Sequence, residues 1–565
     1  MQKPQPTRPD WVSASVVLLL SAPVAVGLAG TLLPAAGFLP ALGGHQVSLT
    51  PVRDLLEAPA IWTSAALSAG TGLAATALSL LVVLLFVATL HGTRPFGVLS
   101  RLMSPLLSVP HAAAAFGLAF LIAPSGFLVR LFSPWATGFE RPPDLLILND
   151  PLGLAMTFGL VIKEVPFLFL MALAALPQTN ADQLSKAAQN LGYSKTSAFF
   201  RVVLPVLYPQ IRLPIIAVLA YSTSVVDVAQ ILGPTTPAPL APRILGWMAD
   251  PDPAMRFQAS AGAVLQCLLS GGAILLWLAG ERVVRGLLQA STLRGKRRRR
   301  EHTARCIGFI LTAGTVFPAI LGLAVLGLWS ISKGWWFPSA LPSGFTISHW
   351  ADLGKTGTEV IWQTLVIAVS VTLVCLILVI SVLESRTRMK PSGDGTLRKL
   401  VFVPLLIPQV SFLFGLQILS VLVGIDGSLL GVAMAHAIFV LPYMYLAFAD
   451  PWNHLDPRYQ QVAMSFGASK WKVLFRIRLP LLMRPLLVTL AIGIAVSVGQ
   501  YLPTIMIGAG RVTTVTTESL ALSSGGNRSL IAVYGMLQLL LPLMFFAAAA
   551  IIPALLHRDR SGLRV

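Results

Sequence analysis

The sequence predicts an all-α, polytopic membrane protein with about twelve membrane-spanning helices, arranged as two tandem sets of six. Three observations lead there. Of 565 residues, 55% are hydrophobic and only 11% charged, with a mean hydropathy of +0.77, whereas soluble domains carry roughly 25% charged residues. Apolar stretches of about 20 residues, the length that crosses a bilayer, recur throughout. The second half also repeats residue patterns of the first.

Taken in order, the first six spans are expected near 11–38, 60–90, 103–124, 151–176, 211–233 and 258–280. The second six are expected near 306–332, 358–384, 400–423, 429–449, 484–507 and 529–555. Lys3 and Arg8 precede the first stretch, which is longer than the roughly 7–15 residues of a signal-peptide core and so reads as an uncleaved span. The chain divides into a first domain, 1–280, with a polar loop at 178–210; a basic linker, 281–305; and a second domain, 306–565, with its polar loop at 450–484.

The halves match in detail. Pro110 and Gly117-Leu118 have the spacing of Pro408 and Gly415-Leu416, Trp62 opens the second span as Trp362 opens the eighth, and Gly233 ends the fifth as Gly508 ends the eleventh. The offset between equivalent residues falls from 298 to 275 between the third and fifth spans, which places an insertion in the first half's outer loop, 124–147.

A net charge of +19 invites a nucleic-acid reading, and the run from Lys296 to Arg300 looks like a basic arm. Position decides against both. With the N-terminus inside, 31 of the 41 Lys and Arg fall in cytoplasmic segments, nine in outer loops and one, Lys163, within a span. That bias is the positive-inside pattern, and it makes the basic linker a solvated, lipid-facing loop. Cys267, Cys306 and Cys375 lie in or beside apolar spans without metal-ligand spacing, so neither a disulfide framework nor a metal site is expected.

The two polar loops carry the most specific signal. One contains KAAQNLGYSKTSAFFRVVLP at 186–205, the other QVAMSFGASKWKVLFRIRLP at 461–480. Apolar residues at Leu184, Ala187, Ala188 and Leu191, and at Tyr459, Val462, Ala463 and Phe466, recur at i, i+3, i+4, i+7, so each loop should form a short amphipathic helix. Asn180 and Asp456 are expected to cap these helices, with Pro457 in the first turn of the second, and Gly192 and Gly467 to end them in a left-handed conformation. A second helix should start at Ser194-Lys195 and Ser469-Lys470 and break at Pro205 and Pro480. A lone glycine upstream of Leu-Pro is a weak signal; two copies at one fixed offset with matching caps are a strong one.

This pattern resembles the EAA motif, E-A-A-x3-G-x9-I-x-L-P, of permease subunits of binding-protein-dependent ABC importers. Gly467, Ile477, Leu479 and Pro480 match it, as do Gly192, Val202, Leu204 and Pro205; Lys186 and Gln461 replace the acidic residue, and Val462 the first alanine. The resemblance implies that the helix before each glycine is a coupling helix, seated in a cleft of an ATPase subunit. It assigns that role to Leu184, Lys186, Ala187, Ala188, Gly192, Leu204 and Pro205, and to Tyr459, Gln461, Val462, Ala463, Gly467, Leu479 and Pro480. It further implies two tandem permease domains in one chain, two ATPase copies that hold ATP-Mg, an extracytoplasmic solute-binding protein, no cofactor in this chain, and a bacterial inner-membrane location with both termini cytoplasmic. Fused permeases of this shape are most similar to those for thiamine and iron(III).

Polar residues within spans are costly in lipid and mark either a passage or interhelical hydrogen bonds. Glu164, Asp227, Gln409, Gln500 and Tyr501 are the candidates for lining a substrate pathway, with His111, His436 and Lys163 beside them. Both acids lie in the first half, and Lys163 next to Glu164 offers a standing ion pair as the alternative explanation. Adjacent helical residues point about 100° apart, so the pair need not form. The chain contains no G-x4-G-K-[ST], H-E-x-x-H or G-x-S-x-G motif, so it is not expected to hydrolyse ATP or do covalent chemistry alone. A twelve-span secondary transporter is the rival reading, but it would not need two matching elbows; a membrane-embedded enzyme would need clustered acids, histidines or metal ligands at one face.

Overall fold

The computed structural model describes residues 10–293, 295, 301–389 and 394–556. Lys3, Arg8 and the basic run 296–300 lie outside them. Among the described residues ten helices are long and apolar enough to cross a membrane, and the number is twelve if each of two bent helix pairs is one span. The spans of the first half are Trp11–Ala35, Ile61–Leu90, His111–Phe132, Leu154–Thr179, Lys195–Ser222 and Met255–Leu293. Those of the second are His302–Ser330, Thr358–Arg388, the pair Leu400–Leu406 and Gln409–Val423, Leu429–His454, the pair Lys470–Leu481 and Met483–Val498, and Arg528–Leu556. The only two-residue strands among the described residues, Ser332–Lys333 and Gly344–Phe345, pair in the loop between the seventh and eighth spans.

Four expectations need correction. The third span does not run unbroken from 103: a helix Arg94–Leu106 stops, and His111–Ile122 starts after Pro110, whose ring and missing N–H prevent continuation. Pro408 does the same in the ninth span, which bends by 97°. Secondly, Pro205 and Pro480 do not break the second elbow helices. Each follows a π turn, Phe199–Val203 or Leu474–Arg478, whose widened ring, closed by Leu204 N to Phe199 O and Leu479 N to Leu474 O, accommodates the proline. The second elbow bends only afterwards, by 79° at Leu482.

Thirdly, the fifth span ends at Ser222, and Asp227 starts a separate short helix, Asp227–Leu232. The hydroxyls of Thr223 and Ser224 donate to the Ala220 carbonyl, at 3.0 and 2.8 Å, and offer the backbone an alternative to the next helical turn. The eleventh span breaks at the equivalent place, between Val498 and Leu502. Lastly, 281–305 is not all linker: the sixth span continues to Leu293, and the seventh begins at His302.

The halves do not sit side by side as separate bundles. The first span packs on the ninth: Gly27 and Gly30 meet Phe412 and Gly415, and the Gly415 amide donates to Thr31 Oγ1 at 3.1 Å. The seventh span packs on the third through Gly322 against Gly117. Gly117 and Gly415 are counterparts in the sequence repeat, so each half lends its first helix to the other half through the same small-residue contact. The segments after the third and seventh spans add a third tie. Arg130, an outer-loop cation by sequence, is buried; it donates to the carbonyls of Ser125, Trp335 and Ser339 and lies 5.3 Å from the Trp335 ring centre.

Candidate functional site

Two elbows project from the same ends of the two halves. In the first, Ala181–Asn190 ends at Gly192, φ +85°; in the second, Arg458–Ser465 ends at Gly467, φ +77°. Tyr193 N bonds Ala188 O and Gly192 N bonds Gln189 O, and Ala468 and Gly467 repeat this with Ala463 and Met464, so both ends are Schellman turns. Ser194 and Ser469 then cap the next helix, each accepting from the backbone N–H three residues on at 3.3 Å. Asp456 accepts from Arg458 N at 2.9 Å, as expected of a cap. Asn180 does not: it adopts the left-handed conformation, φ +50°, and its side chain makes no capping bond.

The stripes differ in exposure. In the first elbow Ala188 is buried and Leu184 half-buried against the bundle, while Lys186, Ala187 and Leu191 face outward. In the second, Ala463 is half-buried, Gln461 is exposed, and Tyr459, Val462 and Phe466 are 54%, 56% and 86% exposed. Trp471 and Phe475, stacked at 6.0 Å, extend that apolar surface. Leu204 is buried and Leu479 half-buried, holding the following helices, while Pro205 and Pro480 are exposed.

The elbows are also anchored differently, which sequence reading missed. The second is held by Arg478, whose guanidinium meets Glu384 of the eighth span at 2.8 Å and lies 4.2 Å from the Trp452 ring centre. Trp452 Nε1 donates to Thr387 Oγ1. In the first half the position of Arg478 is Val203, and the elbow is tied through the Lys195 ammonium on the His91 carbonyl and Thr196 N on Glu301 Oε1 at 3.0 Å. Arg478 and Glu384 are 94 residues apart and read locally as ordinary charges.

Within the membrane, Glu164 and Asp227 belong to one cluster. Glu164 is the eleventh of the 22 residues of its helix and pairs with His111 Nε2 at 3.2 Å. The His111 ring lies 4.7 Å from that of Tyr221, whose hydroxyl donates to Asp227 at 3.4 Å. From the second half, Tyr443 comes within electrostatic range of Glu164 and Tyr501 of Asp227, and Tyr501 packs against the same buried cluster as Tyr221. Lys163 turns the other way: its ammonium donates to the carbonyls of Leu106 and Leu107, at 2.9 and 3.1 Å, where the preceding helix ends. The standing pair with Lys163 does not account for Glu164.

Gln409, Gln500 and His436 are less alike than the sequence suggested. Gln409 opens the helix after Pro408, the position of His111 in the first half, and is half-buried. The Gln500 residue is buried in the break of the eleventh span, and its carbonyl accepts from Thr504 Oγ1 at 2.8 Å. His436 bridges Ser497 and Thr504 at 2.9 and 2.8 Å, so it holds that break together. Gln266, unremarked in sequence, serves the matching break by donating to Thr223 O at 3.0 Å.

A family profile for the inner membrane component of binding-protein-dependent transport systems matches residues 377–558. The chain is also 30% identical to the inner membrane ABC transporter permease protein YnjC of Escherichia coli K12, over 97% of this chain and 99% of that one. The chain belongs to the binding-protein-dependent ABC transporter permeases. Shorter stretches resemble other permeases of the family. One is the putative 2-aminoethylphosphonate transport system permease PhnV of Salmonella paratyphi A, 28% identical over 37% of this chain and 78% of that one. Another is the molybdenum transport system permease ModB of Haemophilus influenzae, 28% identical over 25% and 68%. As an ABC permease the chain is a multi-pass inner-membrane transport component working with an ATPase and a solute-binding protein, and the secondary-transporter alternative falls away.

Proposed function

We propose that this permease carries both transmembrane domains of one ABC importer, with one ATPase copy on each elbow and the solute passing between the halves. The single observation that carries this is the uncovered apolar face of Tyr459, Val462 and Phe466 on a helix fixed at both ends, because a contiguous exposed apolar face outside the lipid marks a protein partner. Closure of the two ATPases would draw the elbows together and shift the spans between two packings of the same helices. The passage would run past Glu164, Asp227, Gln409, Gln500 and Tyr501. Both termini would be cytoplasmic, the fused form supports a thiamine-type or iron(III)-type solute, and the names of PhnV and ModB point to other solutes for those proteins.

Co-purification with the ATPase subunit is the test. Leu191→Glu combined with Phe466→Glu should reduce recovered ATPase by about tenfold at unchanged chain abundance, since each buries a charge in the docking face. Unchanged recovery would remove the assignment. Gly192→Val or Gly467→Val forces a β-branched residue into the left-handed region at a cost of about 1 kcal/mol or more, and should leave ATP hydrolysis running while transport falls. The orientation is checked with reporters: one fused after Gly233 should lie outside and one at Arg297 inside.

A further inference from the structure

We propose that Glu164 and Asp227, with Tyr221, Tyr443 and Tyr501, form a binding site for the positively charged group of an organic solute. This deepens the passage reading and rests on it. The two carboxyl groups share one imidazole neighbour, His111, which pairs with Glu164 and stacks near Tyr221, the partner of Asp227. Lys163, the cation in the same helix, is bound to the Leu106 and Leu107 carbonyls instead. In lipid an uncompensated carboxylate is costly unless water or a partner relieves it.

Three features place this charge on an open path. The His111 side chain, paired with Glu164, remains 30% accessible, and Tyr221, Tyr443 and Tyr501 are each only half-buried. Tyr501 comes from the second half and packs against the buried cluster that contains Val225 and Val228, on either side of Asp227, so that acid lies at the seam between halves. The repeat also makes the feature one-sided: the positions of His111, Glu164 and Asp227 are Gln409, Phe439 and Leu502 in the second half. One charged wall opposite a neutral, tyrosine-bearing wall suits a solute with a cationic end. Aromatic faces favour a weakly hydrated organic cation over a small metal ion, which holds its water more tightly.

The experiment uses the full chain in native-lipid nanodiscs, treated with dicyclohexylcarbodiimide, with modified carboxyls located by peptide mass spectrometry. The probe is tetramethylammonium chloride, compared with sodium chloride and sodium molybdate at equal ionic strength. Tetramethylammonium should slow modification of Glu164 and Asp227 about fivefold or more, with Asp54 and Glu57 on the outer surface unaffected, and Tyr501→Ala should remove most of that protection. Equal protection by sodium chloride would overturn the organic-cation class, and protection by molybdate alone would point to an oxyanion and overturn it too. No protection, or no reaction of either carboxyl without added salt, would also overturn the proposal. Co-purification of the ATPase tests the underlying passage reading separately and can succeed while this fails.

Discussion

Replacing Gly415 by leucine will lower the amount of folded permease in the membrane by about tenfold or more, and alanine will already cause a measurable loss. A Cβ at Gly415 would overlap the Gly27 carbonyl and stand 2.8 Å from the Gly30 carbonyl carbon, so the first and ninth spans would have to separate. Both obstacles are backbone, and no rotamer change relieves them. Overpacking a fitted contact costs about 1–3 kcal/mol, and about 1.4 kcal/mol is a factor of ten in an equilibrium. Parting these helices would also remove the bond from Gly415 N to Thr31. Gly70→Leu is the control, because nothing lies within 4 Å of a Cβ there. Membrane abundance on immunoblots reads the result; equal abundance of both variants would mean that the cross-half contact does not hold the bundle together.

Glu384→Ala will loosen the second elbow and leave the first unchanged. The substitution strands Arg478, which is buried against Trp452, and removes the partner of Arg388 at 2.8 Å. Breaking a buried ion pair from one side costs about 3–5 kcal/mol, whereas replacing both members by apolar residues is often neutral or stabilising. Hydrogen exchange across 458–478 should therefore rise in Glu384→Ala, with little change across 181–203, where Val203 stands in place of Arg478. Glu384→Leu combined with Arg478→Met should restore protection. Equal loosening of both elbows would show that the ion pair stabilises the whole bundle and does not anchor one elbow.

The elbows were legible in the sequence because their determinants are local. Helix stripe, Schellman glycine and serine cap all fall within fifteen residues, and the 275-residue repeat displays them twice. Where local reading went wrong, a competing local term prevailed. Asn180 was expected to cap through its side chain but uses the left-handed backbone open to asparagine. Thr223 and Ser224 read as span interior, yet their hydroxyl chemistry ends the helix and sets Asp227 on a new one.

By itself, the sequence determined the number and order of the spans, the duplication and the two elbows, because lipid imposes length and polarity on every crossing segment and helix ends obey short-range rules. Only the tertiary structure decided which polar residues meet. Glu164 pairs with His111 across 53 residues and not with adjacent Lys163, Arg478 finds Glu384 across 94, and Gly415 meets Thr31 across 384. No periodicity encodes such pairings. They follow from how the helices cross, which small residues permit close approach, and which buried charge or carbonyl is left needing a partner once the bundle has closed.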